Sequence, residues 1–278
     1  MNPYKPRVKA PDPYLIKQTK DILQRNNLNS VCEEASCPNR AECYFHNTTT
    51  FMILGKSCTR SCHFCSVQTG KGEEINKDEP SSLARAINEL GLDYVVLTSV
   101  DRDDLKDYGA GHFKACVSKI KEKCPKVEIE LLTPDFRADS SALDIIISLG
   151  VKKLAHNEET IRRISKAVRP QSSYDRSLKT LEYYALHSQS IIKSSLMLGL
   201  GESDSELLET MQDLLDVGVS ELTLGQYLQP SPKHLEVQRY CSQDLFDELK
   251  AEALDMGFKA VASGPLVRSS YHAKDLSL

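Results

Sequence analysis

The chain has 278 residues, 40% of them hydrophobic and 27% charged, with a formal net charge of -4. This is the composition of an ordinary globular protein, long enough to bury a large core as one α/β barrel or two smaller domains. A sequence pI near 6.0 gives no general attraction to nucleic acid or anionic lipid, and no uncharged apolar run approaches the length of a membrane span.

In chain order, residues 1–50 read as an irregular, partly helical arm, with Pro3, Pro6, Pro11 and Pro13 forbidding regular helix at its start. Beyond it, apolar runs of strand length alternate with amphipathic helical stretches. Residues 51–54 read as a strand leading straight into a cysteine-bearing loop, and 81–90 as a helix capped by Ser81 or Ser82. Strands are expected at 93–98, 127–132, 151–154, 191–198 and 220–224. The helices between and after them are expected at 110–123, 140–149, 158–166, 175–187, 204–217 and 244–256. Gly150, Gly218 and Gly257 stand where helices end.

Six βα units in a row imply right-handed crossovers and a parallel sheet. With no GxGxxG after a first strand, the pattern favours a partial (β/α)6 barrel over two Rossmann halves. In such barrels the loops leaving the C-terminal ends of the strands build the site. Those positions here carry the cysteine loop, Thr98-Ser99-Val100-Asp101, Thr133-Pro134-Asp135, His156-Asn157, Gly199-Leu200-Gly201-Glu202 and Gln226. Any single Ser or Asp among them reads as well as a helix cap; their convergence on one rim points to a site.

Six of the 9 cysteines lie between residues 32 and 65, in two unlike triplets. The first is Cys32-x4-Cys37-x5-Cys43 and the second Cys58-x3-Cys62-x2-Cys65. Structural zinc takes four closed ligands, usually from paired knuckles, whereas three thiolates on one loop suit a cubane iron–sulfur cluster. One iron then lacks a cysteine and is open to another ligand. A zinc site on one triplet would need His46 or His63 as fourth ligand. A disulfide framework would need an oxidising compartment, but the stretch MNPYKPRVKAPDPY has no apolar export core and the cysteine count is odd. The expectation is reduced thiols in a cytoplasmic protein. Cys116, Cys124, Cys241, His112, His187, His234 and His272 show no ligand spacing and read as packing or surface groups.

The second triplet, with Phe64 before its last cysteine, resembles the cluster loop of the radical S-adenosylmethionine (SAM) superfamily. That resemblance implies a [4Fe–4S] cluster on Cys58, Cys62 and Cys65 whose open iron chelates SAM and whose electron cleaves it to a 5′-deoxyadenosyl radical. Asn157 and Glu159 are the expected SAM contacts, and the glycines of Leu198–Glu202 would let backbone approach the cofactor.

The first triplet, inside VCEEASCPNRAECY, resembles the auxiliary-cluster motif of the lipoyl synthase family. FMILGKSCTRSCHFCSV, YVVLTSVDRDDLKDYGAGHF, ELLTPDF, AHNEETIRR, MLGLGE, LTLGQYLQPSPKHL and GPLVRSSYHA are similar to that family's blocks in the same order. His63, Ser195 and Glu236 depart from it, standing where proline, glycine and proline are common. The resemblance implies a second [4Fe–4S] cluster on Cys32, Cys37 and Cys43, with Ser270 of Arg268-Ser269-Ser270-Tyr271 as its remaining ligand.

The family's reaction inserts two sulfur atoms at C6 and C8 of a protein-bound octanoyl-lysine, consuming the auxiliary cluster as donor. The implied partners are octanoylated lipoyl carrier domains (a 2-oxoacid dehydrogenase E2 or the glycine cleavage H protein) and an electron donor such as ferredoxin or flavodoxin. Neither nucleic acid nor membrane is expected. The alternative is another radical SAM sulfur-inserting enzyme such as a methylthiotransferase, against which the pI and the lack of a basic appendage argue. The expected organisation is an N-terminal extension at 1–50 with the auxiliary ligands, the barrel at 51–262, and an extended tail at 263–278.

Overall fold

The structure is a computed structural model describing residues 13–35, 37, 39–45, 49–271, 273–274 and 276. They divide into two compact units. One contains Ser66–Lys153 and the described part of Val8–Arg60; the other contains Ser61–Cys65 and the described part of Leu154–Leu278.

In the first unit the arm is more regular than its prolines suggest. Helix α1 (Pro13–Arg25) starts on a proline, where the fixed φ suits the first turn and the missing N–H has no helical partner to lose. Strand β1 (Asn29–Ser30) runs antiparallel to β2 (Thr50–Ile53), and between them lie α2 (Val31–Glu34) and α3 (Arg40–Phe45). The Ser30 hydroxyl caps α2 by accepting from Glu33 N. A short parallel pair, β3 (Ser57–Cys58) and β4 (Gln68–Thr69), brackets the second cysteine loop. After α4 (Glu79–Leu90), the β-branched run of β5 (Tyr94–Ser99) lies parallel to β2, and beyond α5 (Ala110–Lys123) strand β6 (Glu128–Leu132) lies parallel to β5. Nearly every residue of β2 and β5 is buried, as in parallel sheets covered on both faces. Helix α6 (Ser140–Ile147) follows, capped by the Asp139 side chain.

Strand β7 (Lys153–Ala155), of which Leu154 and Ala155 belong to the second unit, leads to β8 (Ile191–Leu198) through α7 (Arg162–Val168) and α8 (Tyr174–His187). His156 N donates to Lys193 O at 3.2 Å beside it. Helix α9 (Asp204–Asp216) opens with a reciprocal Ser203/Glu206 capping box. Strand β9 (Glu221–Gln226) pairs parallel with β8, and after α10 (Gln243–Met256) strand β10 (Ala260–Gly264) pairs parallel with β9.

All six strands read from the sequence are present as β2, β5, β6, β7, β8 and β9. Some local readings change. Helix α4 begins at Glu79 with Asp78 at its N-cap, so Ser81 and Ser82 lie inside the helix and do not cap it. Strand β10 is an additional parallel strand whose short AVASG run carries little apolar signal. The helix expected at 158–166 begins only at Arg162. Residue Glu159 instead takes φ +67 and forms an isolated parallel bridge with Leu196. Glu159 N donates to Ser195 O at 2.9 Å and Met197 N to Glu159 O at 2.8 Å, so sheet pairing overrides the local helical pattern. No helix among the described residues is long and apolar enough to cross a membrane.

Candidate functional site

The second cysteine loop leaves β2 through Leu54, whose backbone N–H is taken by the buried Glu79 carboxylate at 3.0 Å. Its first turn is tied to the loop after β5. Thr59 N and Oγ1 both donate to Asp101 O, at 3.0 and 2.9 Å. Arg60, its side chain only 4% exposed, reaches Asp101 at 3.1 Å, Asp103 at 2.8 Å and the fully buried Asp135 at 2.7 Å. Arg137 closes on Asp103 from the other side, at 2.5 Å. Burial pushes the Asp103 carboxyl up, but the two guanidinium groups outweigh it and hold the carboxyl below its usual range. The strand-end residues Asp101 and Asp135 therefore meet the cysteine loop through Arg60. The Cys58 thiol is pushed up by burial and by the Asp101 carboxylate.

The rest of the loop is clamped within the second unit. His63 N donates to Val168 O at 2.9 Å, a bond that proline, common at this position, could not make. The His63 ring meets Ala167 O at 2.8 Å, and Leu235 N donates to His63 O at 3.2 Å. His234 Nε2 meets Cys65 O at 3.1 Å. Phe64 packs on the apolar cluster of Val168, Leu200 and Tyr227.

The first triplet gathers in one place. Cys37 N donates to Cys32 O at 3.1 Å, and the three thiols stand near enough for their charges to interact. Burial, then Cys37, pushes the Cys32 thiol up to about 11. Burial followed by Cys32 and Cys37 pushes Cys43 up further. Three free thiols gathered in one place are a donor set that a cation-rich centre would hold as thiolates, so the residues fit an iron–sulfur cluster. Beside them Glu33 is balanced by Lys20 at 3.0 Å and Arg40 at 3.2 Å. The Ser66 hydroxyl donates to Glu34 O at 2.8 Å, tying the residue after Cys65 to α2. His46 lies outside the described residues.

Of the expected SAM contacts, Asn157 and Glu159 sit in the extended segment after β7 rather than at a helix cap. Asn157 Nδ2 donates to Glu159 Oε1 at 3.1 Å, while Asn157 Oδ1 is buried with no partner. A buried acceptor without a donor fits an incoming ligand amine or hydroxyl. Between them Glu158 is fully buried and ion-paired with Arg169. Burial pushes the Glu158 carboxyl up, and Arg169 opposes the shift.

Two strand-end positions turn out to be internal fasteners. Glu202 takes the Gly199 N–H at 2.6 Å and the Leu200 N–H at 2.8 Å. Gly199 has φ +101, and a Cβ there would lie 2.3 Å from Gln226 Nε2 and 2.5 Å from Arg239 O, so the protein's own packing accounts for this glycine. Gln226 Nε2 lies 3.0–3.1 Å from the carbonyls of Leu198, Tyr227 and Arg239, which share its two N–H groups, and Gln226 Oε1 accepts from Cys241 N. Its polar atoms are committed to the fold.

Among the described residues, Glu79, His112 and Cys116, all buried, are the group whose metal-type donor atoms lie within 4.8 Å of one another. Glu79 Oε2 stands 2.5 Å from His112 Nε2. Two ligands of one ion stand roughly 3 Å or more apart at ordinary bond lengths, so this pair is a hydrogen bond, and Glu79 with it braces the end of β2.

The tail after β10 is turned, not extended: Val267 N donates to Gly264 O and Tyr271 N to Arg268 O, each at 3.0 Å. A Cβ on Gly225 of β9 would lie 2.2 Å from Val267 O, so glycine admits the tail across that strand. Ser269 and Ser270 both fall in this turn, so strand-like alternation of their side chains does not apply.

Comparison with known proteins agrees with this architecture. The profile of the radical SAM superfamily matches residues 52–214. The solved structure of methylornithine synthase superposes at TM-score 0.57 with 14% identity, covering 95% of this chain and 90% of that one. Streptococcus suis SuiB bound to S-adenosylmethionine superposes at 0.61 with 12% identity, covering 81% and 52%. Likeness at such identity speaks to the fold alone. Fold and profile together define a radical SAM enzyme, with the partial-barrel fold and the SAM and [4Fe–4S] cofactors of that class. The lipoyl synthases of Escherichia coli O1:K1 / APEC and of E. coli O9:H4 (strain HS) are each 53% identical over 270 residues, 96% of this chain and 84% of theirs. The chain belongs to the lipoyl synthase family, whose members are radical SAM sulfur-inserting enzymes.

Proposed function

We propose that this chain makes lipoyl groups by inserting sulfur at C6 and C8 of an octanoyl-lysine on a carrier domain, a 2-oxoacid dehydrogenase E2 or a glycine cleavage H protein. Cys58, Cys62 and Cys65 hold the radical-generating cluster, and Cys32, Cys37, Cys43 and Ser270 hold the auxiliary one. The observation that carries this reading is the gathering of Cys32, Cys37 and Cys43 as free thiols in the unit that also holds Cys58.

When bound, the open-iron cluster and SAM supply the electron transfer and C–S cleavage that produce a hydrogen-abstracting radical. The chain's own residues do the rest. Arg60 and its carboxylates fix the first turn of the cysteine loop. Phe64 and its apolar neighbours give the end of the cysteine loop an apolar footing. Asn157, with its unpartnered Oδ1, and Glu159 receive the polar groups of SAM. The sulfur comes from the auxiliary cluster, which is a substrate here. Each insertion removes one hydrogen atom from carbon and forms one C–S bond, at the expense of one SAM. A serine oxygen is a harder ligand than thiolate, suited to release as that cluster is dismantled.

Residues 1–50 serve as the auxiliary-ligand extension, 51–262 as the catalytic body and 263–278 as the ligand-bearing tail. A low-potential ferredoxin or flavodoxin supplies electrons in the cytoplasm. The test is anaerobic reconstitution with about eight irons per chain, then addition of SAM, dithionite and an octanoyl-lysyl peptide. Both 5′-deoxyadenosine and a doubly thiolated peptide are expected. 5′-Deoxyadenosine without sulfur in the peptide would refute the assignment.

A further inference from the structure

Helix α7 ends between two parts of the proposed site. On one side, Val168 O accepts from His63 N at 2.9 Å and Ala167 O meets the His63 ring at 2.8 Å, which fixes the stretch between Cys62 and Cys65. On the other, the next residue, Arg169, turns a buried guanidinium onto the segment after β7. It pairs with the fully buried Glu158 carboxylate, and its Nη1 donates to Asn157 O at 3.3 Å and to Ser177 Oγ at 3.2 Å. Strand β8 holds the other edge of that segment. Glu158 N donates to Ser194 Oγ at 3.1 Å, and the main chain of Glu159 bonds to Ser195 and Met197. Glu159 stands at φ +67, a conformation that a non-glycine residue keeps only where its surroundings hold it. All of these residues belong to the second unit.

We propose that Arg169 is a positioning residue for SAM: it sets Asn157 and Glu159 at a fixed place relative to the His63 stretch of the cysteine loop. The inference deepens the proposed function, and it rests on the reading of Asn157 and Glu159 as SAM contacts and of Cys62 and Cys65 as cluster ligands. The planar fork of a guanidinium holds a carboxylate and a carbonyl at once in one geometry, which an ammonium does not reproduce. Stability alone does not call for the pair. Desolvating both ions offsets most of their attraction in a buried ion pair, and uncharged side chains of similar volume often serve as well. Groups behind the contacting residues fix their orientation, and losing such support weakens a site without unfolding the protein.

The experiment measures SAM affinity of the full-length, reconstituted protein by anaerobic equilibrium dialysis, scored per loaded cluster. Thermal melting and the change SAM makes in the EPR spectrum of the reduced protein are recorded beside it. Combining Glu158→Gln with Arg169→Met removes the ion pair as a unit and strands no charge. Arg169→Lys keeps a cation against Glu158 but loses the fork. Each variant is expected to melt near the wild-type temperature, to bind SAM at least about tenfold more weakly, and to show an altered EPR response. Wild-type affinity in the folded double variant overturns the proposal; should that variant not fold, Arg169→Lys decides in the same way. A loss of affinity that only tracks a loss of melting temperature makes Arg169 a support of the fold alone, and the proposal falls. Asn157→Ala separates the two failures. Wild-type SAM affinity there removes the contact reading itself, whereas a weakened Asn157→Ala beside unaffected Arg169 variants removes this proposal alone.

Discussion

Arg60 Nη2 stands 2.7 Å from Asp135 Oδ1, joining the cysteine loop to a carboxylate with no solvent exposure. Removing the guanidinium from such a pair takes the counter-ion from a buried carboxylate. Arg60→Ala should therefore cost about 3–5 kcal/mol, lowering the melting temperature by on the order of 10 °C. In an Asp135→Asn background the same change should cost clearly less, because the stranded charge is gone. Thermal unfolding of all four proteins closes the cycle, and equal costs in both backgrounds would show that the pair is not coupled.

The two cysteine triplets should separate genetically. Cys58→Ala, Cys62→Ala or Cys65→Ala is expected to abolish 5′-deoxyadenosine formation while leaving the auxiliary cluster in place. Replacing Cys32, Cys37 and Cys43 by alanine should spare SAM cleavage and abolish sulfur transfer to an octanoyl-lysyl peptide, read by mass spectrometry. Sulfur in the product of the second variant would mean that the donor lies elsewhere.

Ser270 is the most exposed assignment. Ser270→Ala should keep 5′-deoxyadenosine production and yield little lipoyl product, and Ser270→Cys should bind the cluster more tightly yet also turn over slowly. Ser269→Ala should be much milder. Since both serines lie in a turn after β10, side-chain alternation does not choose between them, and the comparison of the two alanine variants decides the register. Dead Ser269→Ala with active Ser270→Ala would move the ligand by one residue.

Glu202 holds two buried amides at once. Glu202→Ala strands the Gly199 and Leu200 N–H groups, at a cost of roughly 3 kcal/mol. Glu202→Gln retains one acceptor oxygen and should cost about half as much. Denaturant unfolding measures both; near-zero loss in the alanine variant would show that water replaces the carboxylate.

The sequence by itself determined the chemistry of the thiols and the βα alternation. Cysteine spacing along a loop is a local property, and strand or helix periodicity is written in consecutive residues. The six principal strands and the junction of the cysteine loop with β2 were legible for that reason. What only the tertiary structure decided was which polar residues face ligand and which are consumed by the fold. Asp101, Asp135 and Arg60, far apart in the chain, become one charge network, while Gln226 and Glu202 are spent on backbone groups. The segment 158–161 carries helix-like residues, yet Glu159 adopts φ +67 and bonds to the edge of β8. Hydrogen bonds to a neighbouring strand depend on that strand's position in space, and they outweigh a local propensity of a few tenths of a kcal/mol per residue.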